Sequence, residues 1–314
     1  MLRGGVPSLL DRNLLYVTGK GGVGKSTVAA ALGLAAAARG RRTIVCEVGA
    51  QERMSRFFRR EGVGGQELEL RENLWGVSID PQAALREWLG TQLGSQRLTR
   101  ALADARAFQY FVAAAPGARE LVTITKVWEL AQQRRWDKKS AGYEVVVVDA
   151  PASGHGIGML RTPRTFGDIA RVGPIRTQSD RVWELLTDPR RTGYVAVATA
   201  AEMPVSETIE LQGRLHRAIG RPLEAVVVNG VYPQRFSGDE LERLESVAGR
   251  DGTLGRAALA SARSQSTRHR VQQSQLRRLR RDAEGTVATL PFLFQPELDL
   301  AAVEELGREL GRKL

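Results

Sequence analysis

The sequence has a single cysteine, Cys46, among its 314 residues. One cysteine cannot form a disulfide within the chain, and it excludes a CxxC metal site contributed by this chain alone. Long apolar runs are also missing, because the longest, Val28 to Ala38, is far shorter than the roughly 20 residues that span a bilayer. That alanine-rich run predicts a buried helix. The N-terminal residues lack the apolar core of a signal peptide, so we expect a cytoplasmic protein.

Acidic residues are fewer than basic ones. The net charge is +11 and the isoelectric point is near 10.4, and only six of the 46 basic residues are lysines. A solvated basic surface accounts for this balance, but an anionic membrane surface, nucleic acid or an acidic partner remain alternatives. The most basic stretch runs from Arg268 to Arg281, and the sequence leaves its role open.

Short β-rich segments alternate with long helical patterns along the chain. This alternation predicts an α/β fold in one domain, residues 1–314, with a mostly parallel sheet and helices on both faces. The predicted strands are residues 14–18, 43–48, 74–79, 143–149, 193–199, 223–230 and 286–291.

Two segments are too long for simple strand–helix alternation. Residues 81–140 carry leucines at helical spacing and predict a helical insertion. Its apolar face either packs onto the sheet or receives a client or partner helix. A second helical segment covers residues 238–283. Residues 298–314 predict a last helix with Leu300, Val303, Leu306 and Leu310 on one face.

The first predicted strand leads into a glycine-rich loop that matches the pattern G-x-x-x-x-G-K-[ST]. Glycines let successive backbone N–H groups turn inward towards phosphates, and the following helix directs its positive end at the same anion. Lys25 is predicted to reach the β- and γ-phosphates, and the Ser26 hydroxyl to bind Mg²⁺. The predicted nucleotide-binding residues of the loop are Gly19, Gly21, Gly22, Val23, Gly24, Lys25, Ser26 and Thr27.

A second motif begins with the run Val145 to Val148, whose four β-branched residues predict a strand buried on both faces. The next residue, Asp149, is placed where a carboxylate holds Mg²⁺. ATP and Mg²⁺ are therefore the expected ligands, and Lys20, Lys25 and Asp149 the expected catalytic residues.

Two motifs carry a family resemblance. The loop Lys20-Gly21-Gly22-Val23-Gly24-Lys25-Ser26 resembles the deviant, two-lysine phosphate-binding loop of MinD, ParA, nitrogenase iron protein and the arsenical-pump ATPases. The run Asp149 to His155 (DAPASGH) is similar to the D-T-A-P-T-G-H switch of the arsenical pump-driving ATPase (ArsA) and of the ATPase that targets tail-anchored membrane proteins. The segments LWGVSIDP, APGAREL, EMPVSET and VVVNG also resemble this family, in the same order.

The resemblance implies several properties. Family members dimerise on ATP, and Lys20 would act on the nucleotide of the partner subunit. Asn229 is implied as the side chain that binds adenine, with Pro291 near the base, although Asn229-Gly230 is also an ordinary strand-end turn. His155 either relays the nucleotide state or is simply a hydrogen-bonded switch residue.

The chain departs from the family pattern at three points. Val48 stands where the family's first switch carries the Asp that orients the attacking water. Glu47 or Glu52 takes that role, or turnover is slow, or a partner subunit completes the site. The arsenite-binding cysteines and the zinc-binding CxxC are both missing, so we expect neither an arsenite site nor a zinc site.

The leading hypothesis is an ArsA-like ATPase that hydrolyses ATP and couples homodimer or heterodimer closure to a membrane-protein client or channel partner, in the cytoplasm or at the inner membrane face. One alternative is a ParA- or MinD-like positioning ATPase, with the basic run on DNA and the last helix on a membrane. The Gly154-His155 pair argues against it, and we expect no specific nucleic acid partner. The other alternative is a non-hydrolysing regulatory subunit.

Overall fold

The structure is a computed structural model and describes residues 8–49, 52–61, 65–93, 116–248, 252–295 and 297–314. The strands are β1 (Leu14–Gly19), β2 (Thr43–Val48), β3 (Leu68–Arg71), β4 (Leu74–Ile79), β5 (Val145–Asp149), β6 (Thr192–Thr199), β7 (Ala225–Val231) and β8 (Thr286–Pro291). The helices are α1 (Lys25–Ala37), α2 (Arg53–Phe57), α3 (Pro81–Leu93), α4 (Ala118–Leu130), α5 (Ser153–Ala170), α6 (Pro174–Thr187), α7 (Glu202–Ile219), α8 (Gly238–Ala248), α9 (Gly252–Asp282) and α10 (Leu300–Lys313).

The eight strands form one sheet in the order β3-β4-β2-β5-β1-β6-β7-β8. All neighbours pair in parallel except β3 and β4. The mostly parallel α/β fold and the seven predicted strands are therefore confirmed within a few residues. Strand β3 is not predicted by the sequence, because four residues with alternating leucine and charge carry too little apolar pattern to stand out from a loop. The strand that ends in Asp149 is consequently the fifth strand.

The central strands are buried on both faces, as their valine-rich sequences predict. On one face, Tyr16, Val146 and Val148 pack in a core with apolar residues of α4, α5, α6, α7 and α9. On the other face, Val17 and Val147 pack with α1, α2 and α10. Helices therefore cover both faces of the sheet, as predicted.

Only part of the predicted helical insertion can be compared with the structure, because residues 94–115 lie outside the described residues. Helix α3 begins the insertion and α4 closes it. Ile124, Val127 and Leu130 of α4 are buried in the sheet core, so this helix packs onto the sheet. The second predicted segment, 238–283, consists of the two helices α8 and α9.

The predicted last helix is confirmed as α10, whose Asp299 cap accepts a hydrogen bond from the Ala302 N–H at 3.0 Å. Its apolar residues Val303, Leu306 and Leu310 are buried in the core that contains α1. The apolar face of α10 is therefore already covered and cannot lie on a membrane in this state.

Candidate active site

The carboxyl ends of three neighbouring strands meet at one edge of the sheet. The Cα of Asp149 at the end of β5 is in register with Val17 of β1 on one side and with Glu47 of β2 on the other. Parallel strands bring their carboxyl ends to the same edge, and ligands of α/β proteins bind there. The glycine-rich loop leaves β1 at this edge, so Ser26 of the loop and Asp149, 123 residues apart along the chain, come together in one site.

The loop needs glycine at two positions for different reasons. A Cβ on Gly19 would lie 2.3 Å from the Val197 carbonyl oxygen of β6, so the backbone approach there excludes any side chain. Gly24 has φ +92° and precedes the first residue of α1, and a Cβ there would lie 2.2 Å from Asn229 Nδ2. Gly24 makes no side-chain cap, so the first N–H groups of α1 have no capping side chain and are available to an anion.

The Lys25 ammonium lies over the loop. Its Nζ donates a hydrogen bond to the Lys20 carbonyl oxygen at 3.0 Å, an ordinary neutral acceptor for a charged group. Burial lowers the pKa of Lys25, and the nearby carboxylate of Asp149 opposes that shift. A half-buried ammonium whose only hydrogen bond in the described chain goes to a carbonyl gains charge-assisted bonds when phosphate oxygens arrive.

Ser26 and Asp149 form the oxygen pair that the sequence predicted for Mg²⁺. The Ser26 Oγ donates to Asp149 Oδ2 at 2.5 Å and accepts from Arg53 Nη1 at 3.0 Å. Burial raises the pKa of Asp149, while the Ser26 hydrogen bond opposes the rise. Hydroxyl and carboxylate oxygens are the ligands that Mg²⁺ prefers, so these two residues fit the ion. Among the residues that the structure describes, no group of three His, Cys, Asp or Glu side chains fits a metal.

The first switch segment places its carboxylate differently from the family pattern. Val48 ends β2 and lines a cleft of about 540 Å³, whereas Glu47 is buried. Both Glu47 oxygens accept backbone N–H groups at the start of α2, from Arg53 at 2.7 Å and from Met54 at 3.2 Å. Glu47 therefore holds the switch segment against the site, and burial raises the pKa of its carboxyl group. Glu52 lines the same cleft as Val48.

Lys20 is turned towards its own subunit. Its Nζ lies 2.6 Å from Glu207 Oε1 of α7, and both side chains are about one-third exposed. An exposed pair of this kind is weak, worth about 1 kcal/mol or less. The pair can therefore open at small cost, which leaves the predicted role of Lys20 in a partner's site available.

Of the two residues predicted to hold the base, Asn229 lies beside the loop. Asn229 Nδ2 donates to the Val23 carbonyl oxygen at 3.1 Å, which joins β7 to the phosphate-binding loop. Pro291 ends β8 in register with Val231. The ring of Phe292, the residue after Pro291, is stacked on the ring of Tyr232, with centroids 4.7 Å apart. The assignment of Asn229 and Pro291 to the adenine stays a prediction.

His155 is exposed near the start of α5 and lines the cleft with Val48, away from the phosphate-binding loop. The cleft is bounded by both switch segments and by Arg119 and Thr123 of α4. His155 therefore lies beside both switch segments and the helical insertion, and its predicted role as a relay stays a prediction.

Two residues of the site, Arg53 and Glu207, are not marked by any sequence motif that predicts a role there. Arg53 reaches the Ser26 hydroxyl from the first switch segment, but no spacing rule marks an arginine after a strand as part of a phosphate site. Glu207 partners Lys20, and it lies inside the EMPVSET segment that carries part of the family resemblance.

In the part of the chain that the structure covers, every helix is too short or too polar to cross a bilayer.

Known proteins resemble this chain over most of its length. The family model of the anion-transporting ATPases matches residues 12–175. The ATPase BagA of Mycobacterium tuberculosis is 33% identical over 246 residues, which cover 76% of this chain and 71% of that protein. A putative arsenical pump-driving ATPase of Chlorobaculum tepidum is 29% identical over 272 residues, covering 74% and 65%. The arsenical pump-driving ATPase of Escherichia coli is 23% identical over 250 residues, covering 70% and 40%.

Proposed function

Because this chain belongs to the anion-transporting ATPase (ArsA) family, we propose that it binds ATP with Mg²⁺ and hydrolyses it to ADP and phosphate. ATPase activity in general follows from the family. The ligands, the dimer and the coupling to a client are our proposals.

One observation carries the proposal for the nucleotide. The Ser26–Asp149 oxygen pair lies at the same sheet edge as the uncapped N-terminus of α1 and the Lys25 ammonium. These are the three groups that a triphosphate with a divalent cation requires: N–H donors, a positive charge and oxygen ligands. The residues present therefore fit the ligand pair.

The roles of the residues follow from their places. The loop N–H groups donate to phosphate oxygens, and Lys25 exchanges the Lys20 carbonyl for the β- and γ-phosphates. Ser26 and Asp149 would hold Mg²⁺, which supplies charge stabilisation of the transferred phosphoryl group when bound. Before the ligands bind, Arg53 donates a hydrogen bond to the Ser26 hydroxyl oxygen and keeps it oriented. Together these groups stabilise the charge that develops when water attacks the γ-phosphate.

Turnover is proposed to be slow in an isolated subunit. Val48 cannot orient water, and both oxygens of Glu47 are occupied by backbone N–H groups of α2. The exposed Lys20 supports a site completed by a second subunit, either a copy of this chain or a paralogue. The closed dimer would then act on a membrane-protein client or channel partner, from the cytoplasm or the inner membrane face.

One observation separates this proposal from the positioning-ATPase alternative. The apolar face of α10 is buried against the sheet, which removes the membrane helix that a MinD-like protein would use. A non-hydrolysing regulatory subunit remains the competing proposal, motivated by Val48.

The experiment is a phosphate-release assay with the purified full-length chain. The wild type should turn over ATP at least about 100-fold faster than Lys25→Ala, because the variant loses the ammonium that stabilises the developing charge. The Lys139→Ala variant removes an exposed lysine and serves as the control, with wild-type turnover expected. Equal rates in the wild type and Lys25→Ala would favour the non-hydrolysing alternative.

A further inference from the structure

Helix α9 carries a line of arginines at regular spacing. Arg256, Arg263, Arg270 and Arg277 are seven residues apart and all exposed, and we call these four residues the arginine stripe. Seven residues are close to two helical turns, so the stripe stays on one face with a small drift, and successive arginines are about 10 Å apart along the axis. The residues between them on that face are small and exposed: Ala260, Thr267 and Ser274.

An acidic helix of the same chain already contacts the first half of the stripe at Arg263. The Arg263 guanidinium pairs with Glu245 of α8, with Nη2 and Oε1 2.6 Å apart. Helix α8 runs antiparallel to α9, because Glu245 meets Arg263 while Gly238 and Leu241 meet the neighbourhood of Arg270. Besides Glu245, α8 carries Asp239, Glu240 and Glu242. The fold itself therefore seats an acidic helix on this face.

The second half of the stripe, Arg270 and Arg277, is left uncovered by every acidic helix within the described residues. Helix α8 begins at Gly238, beside a cleft of about 480 Å³ that Arg235, Arg270 and Arg277 line. No carboxylate lines this cleft, and neither Arg270 nor Arg277 pairs with a carboxylate of the described chain. Gln265 also lines the cleft, and its buried Nε2 donates no hydrogen bond within the described residues.

The charges and the shape of the cleft decide what it can bind. Several guanidinium groups without carboxylates repel one another, so an anionic ligand is stabilised there. Phe236 and Leu241 add apolar surface to the same cleft. Charged and apolar groups side by side in a concave cleft suit the side chains of a peptide, whereas a flat bilayer cannot enter it.

We propose that the uncovered half of the arginine stripe, with its cleft, is a docking surface for an acidic helical segment of a partner protein. The segment continues the line of α8 and places carboxylates against Arg270 and Arg277, as Glu245 is placed against Arg263. Electrostatic complementarity of this kind favours fast, salt-sensitive association.

Helix α9 is also hydrogen-bonded to the segment beside the phosphate-binding loop. Gln272 accepts the Tyr232 N–H at 2.7 Å and donates to the Gly230 carbonyl oxygen at 3.1 Å. His269 Nδ1 lies 2.9 Å from the Tyr232 carbonyl oxygen. Asn229, the next residue along, bonds the loop itself. This inference rests on the proposed function, because the docked segment would belong to the partner proposed there. Helix α9 alone separates the docking surface from the segment that contacts the phosphate-binding loop.

The test measures binding without nucleotide, so it can fail or succeed independently of the ATPase proposal. The probe is a labelled synthetic peptide of about 20 residues, long enough to be helical, with Glu at every seventh position. Fluorescence anisotropy should show binding to the full chain that weakens as salt increases. The same peptide with Gln in place of Glu should bind at least about tenfold more weakly, since it cannot pair with the arginines.

Matched variants locate the surface. The Arg270→Gln/Arg277→Gln protein should lose about five- to tenfold in peptide affinity with an unchanged melting temperature, because both side chains are exposed. Arg161→Gln/Arg181→Gln removes the same charge from exposed positions on α5 and α6 and should bind like the wild type. Equal losses in the two variants would overturn the proposal. So would tighter binding of duplex DNA or of vesicles rich in phosphatidylglycerol that depends on Arg270 and Arg277.

Discussion

Two clusters of buried charge lie near the same sheet, and they differ in how their charges are satisfied. One cluster joins the helical insertion to the sheet edge and contains Arg135, Glu129, Glu67 and Lys126. The other is the candidate active site around Lys25 and Asp149. Comparing them shows why buried charge alone does not identify a functional site.

The first cluster is satisfied within the chain. The Arg135 guanidinium bonds Glu129 at 2.6 Å and Glu67 at 2.5 Å, and Lys126 bonds Glu129 at 3.0 Å. Burial alone would raise the pKa of Glu67, but hydrogen bonds from Arg135 and Tyr143 outweigh it and hold the pKa below its ordinary value. Each charge meets an opposite charge, so this cluster has no capacity left for a ligand.

The second cluster leaves strong donors with weak partners. Lys25 bonds a neutral carbonyl, and the first N–H groups of α1 have no capping side chain. Here burial outweighs the opposing contacts, lowering the pKa of Lys25 and raising that of Asp149, so neither charge is well stabilised without a ligand. The first cluster, whose charges are paired within the chain, therefore stabilises the fold. The second cluster, whose charges have weak partners, is arranged for an incoming anion and cation.

The substitution with the greatest predicted loss of stability removes Arg135 from the first cluster. Arg135→Met should lower the free energy of unfolding by about 3 kcal/mol, because among the described residues it leaves the buried carboxylate of Glu129 paired with Lys126 alone. Urea denaturation measures this change. The neighbouring Arg134 is exposed, and Arg134→Met should change stability by less than about 0.5 kcal/mol.

The pH dependence sharpens the same prediction. The folded pKa of Glu67 is lowered, so its pairing contributes stability above the ordinary value of 4.5 and loses it as the pH falls through the folded pKa. The stability difference between wild type and Arg135→Met should therefore shrink in acid. ATP affinity should be unchanged in this variant. A large loss of ATP affinity with normal stability would mean that the two clusters are not separate in function.

A smaller expected effect concerns the second cluster. Lys20→Ala should reduce ATP turnover about 100-fold, the effect of losing one charge on the transferred phosphoryl group, while ATP affinity changes little. Stability should change by less than about 1 kcal/mol, because the Lys20–Glu207 pair is exposed. Phosphate release and urea denaturation are the measurements, with Lys138→Ala as the control. Normal turnover by a monomeric Lys20→Ala protein would contradict its action in a partner's site.

The sequence predicts much of this molecule, because its strongest patterns are local. Continuous valines mark β5, and glycines with Lys25 and Ser26 mark the phosphate-binding loop. The sequence could not predict β3, whose four residues are stabilised by pairing with β4 and not by their own pattern. Short edge strands depend on tertiary contacts in this way.

Parts of the site depend on distant contacts and were missed for the same reason. Arg53 reaches Ser26 because Glu47 anchors the start of α2. The contact therefore needs Ser26, Glu47 and Arg53 to come together in the fold, which their spacing along the chain does not reveal. The pairing of Lys20 with Glu207 likewise joins residues 187 positions apart. The sequence shows that such a residue is charged, but it does not show which distant residue it contacts.

The central claim is that the second cluster is a cradle for a nucleoside triphosphate, and titration calorimetry tests it most directly. ATP added to the full-length chain in magnesium buffer should give saturable binding at about one site per chain, strongly weakened in Lys25→Ala. If ATP did not associate with the folded wild-type protein, this cluster would not be a nucleotide site.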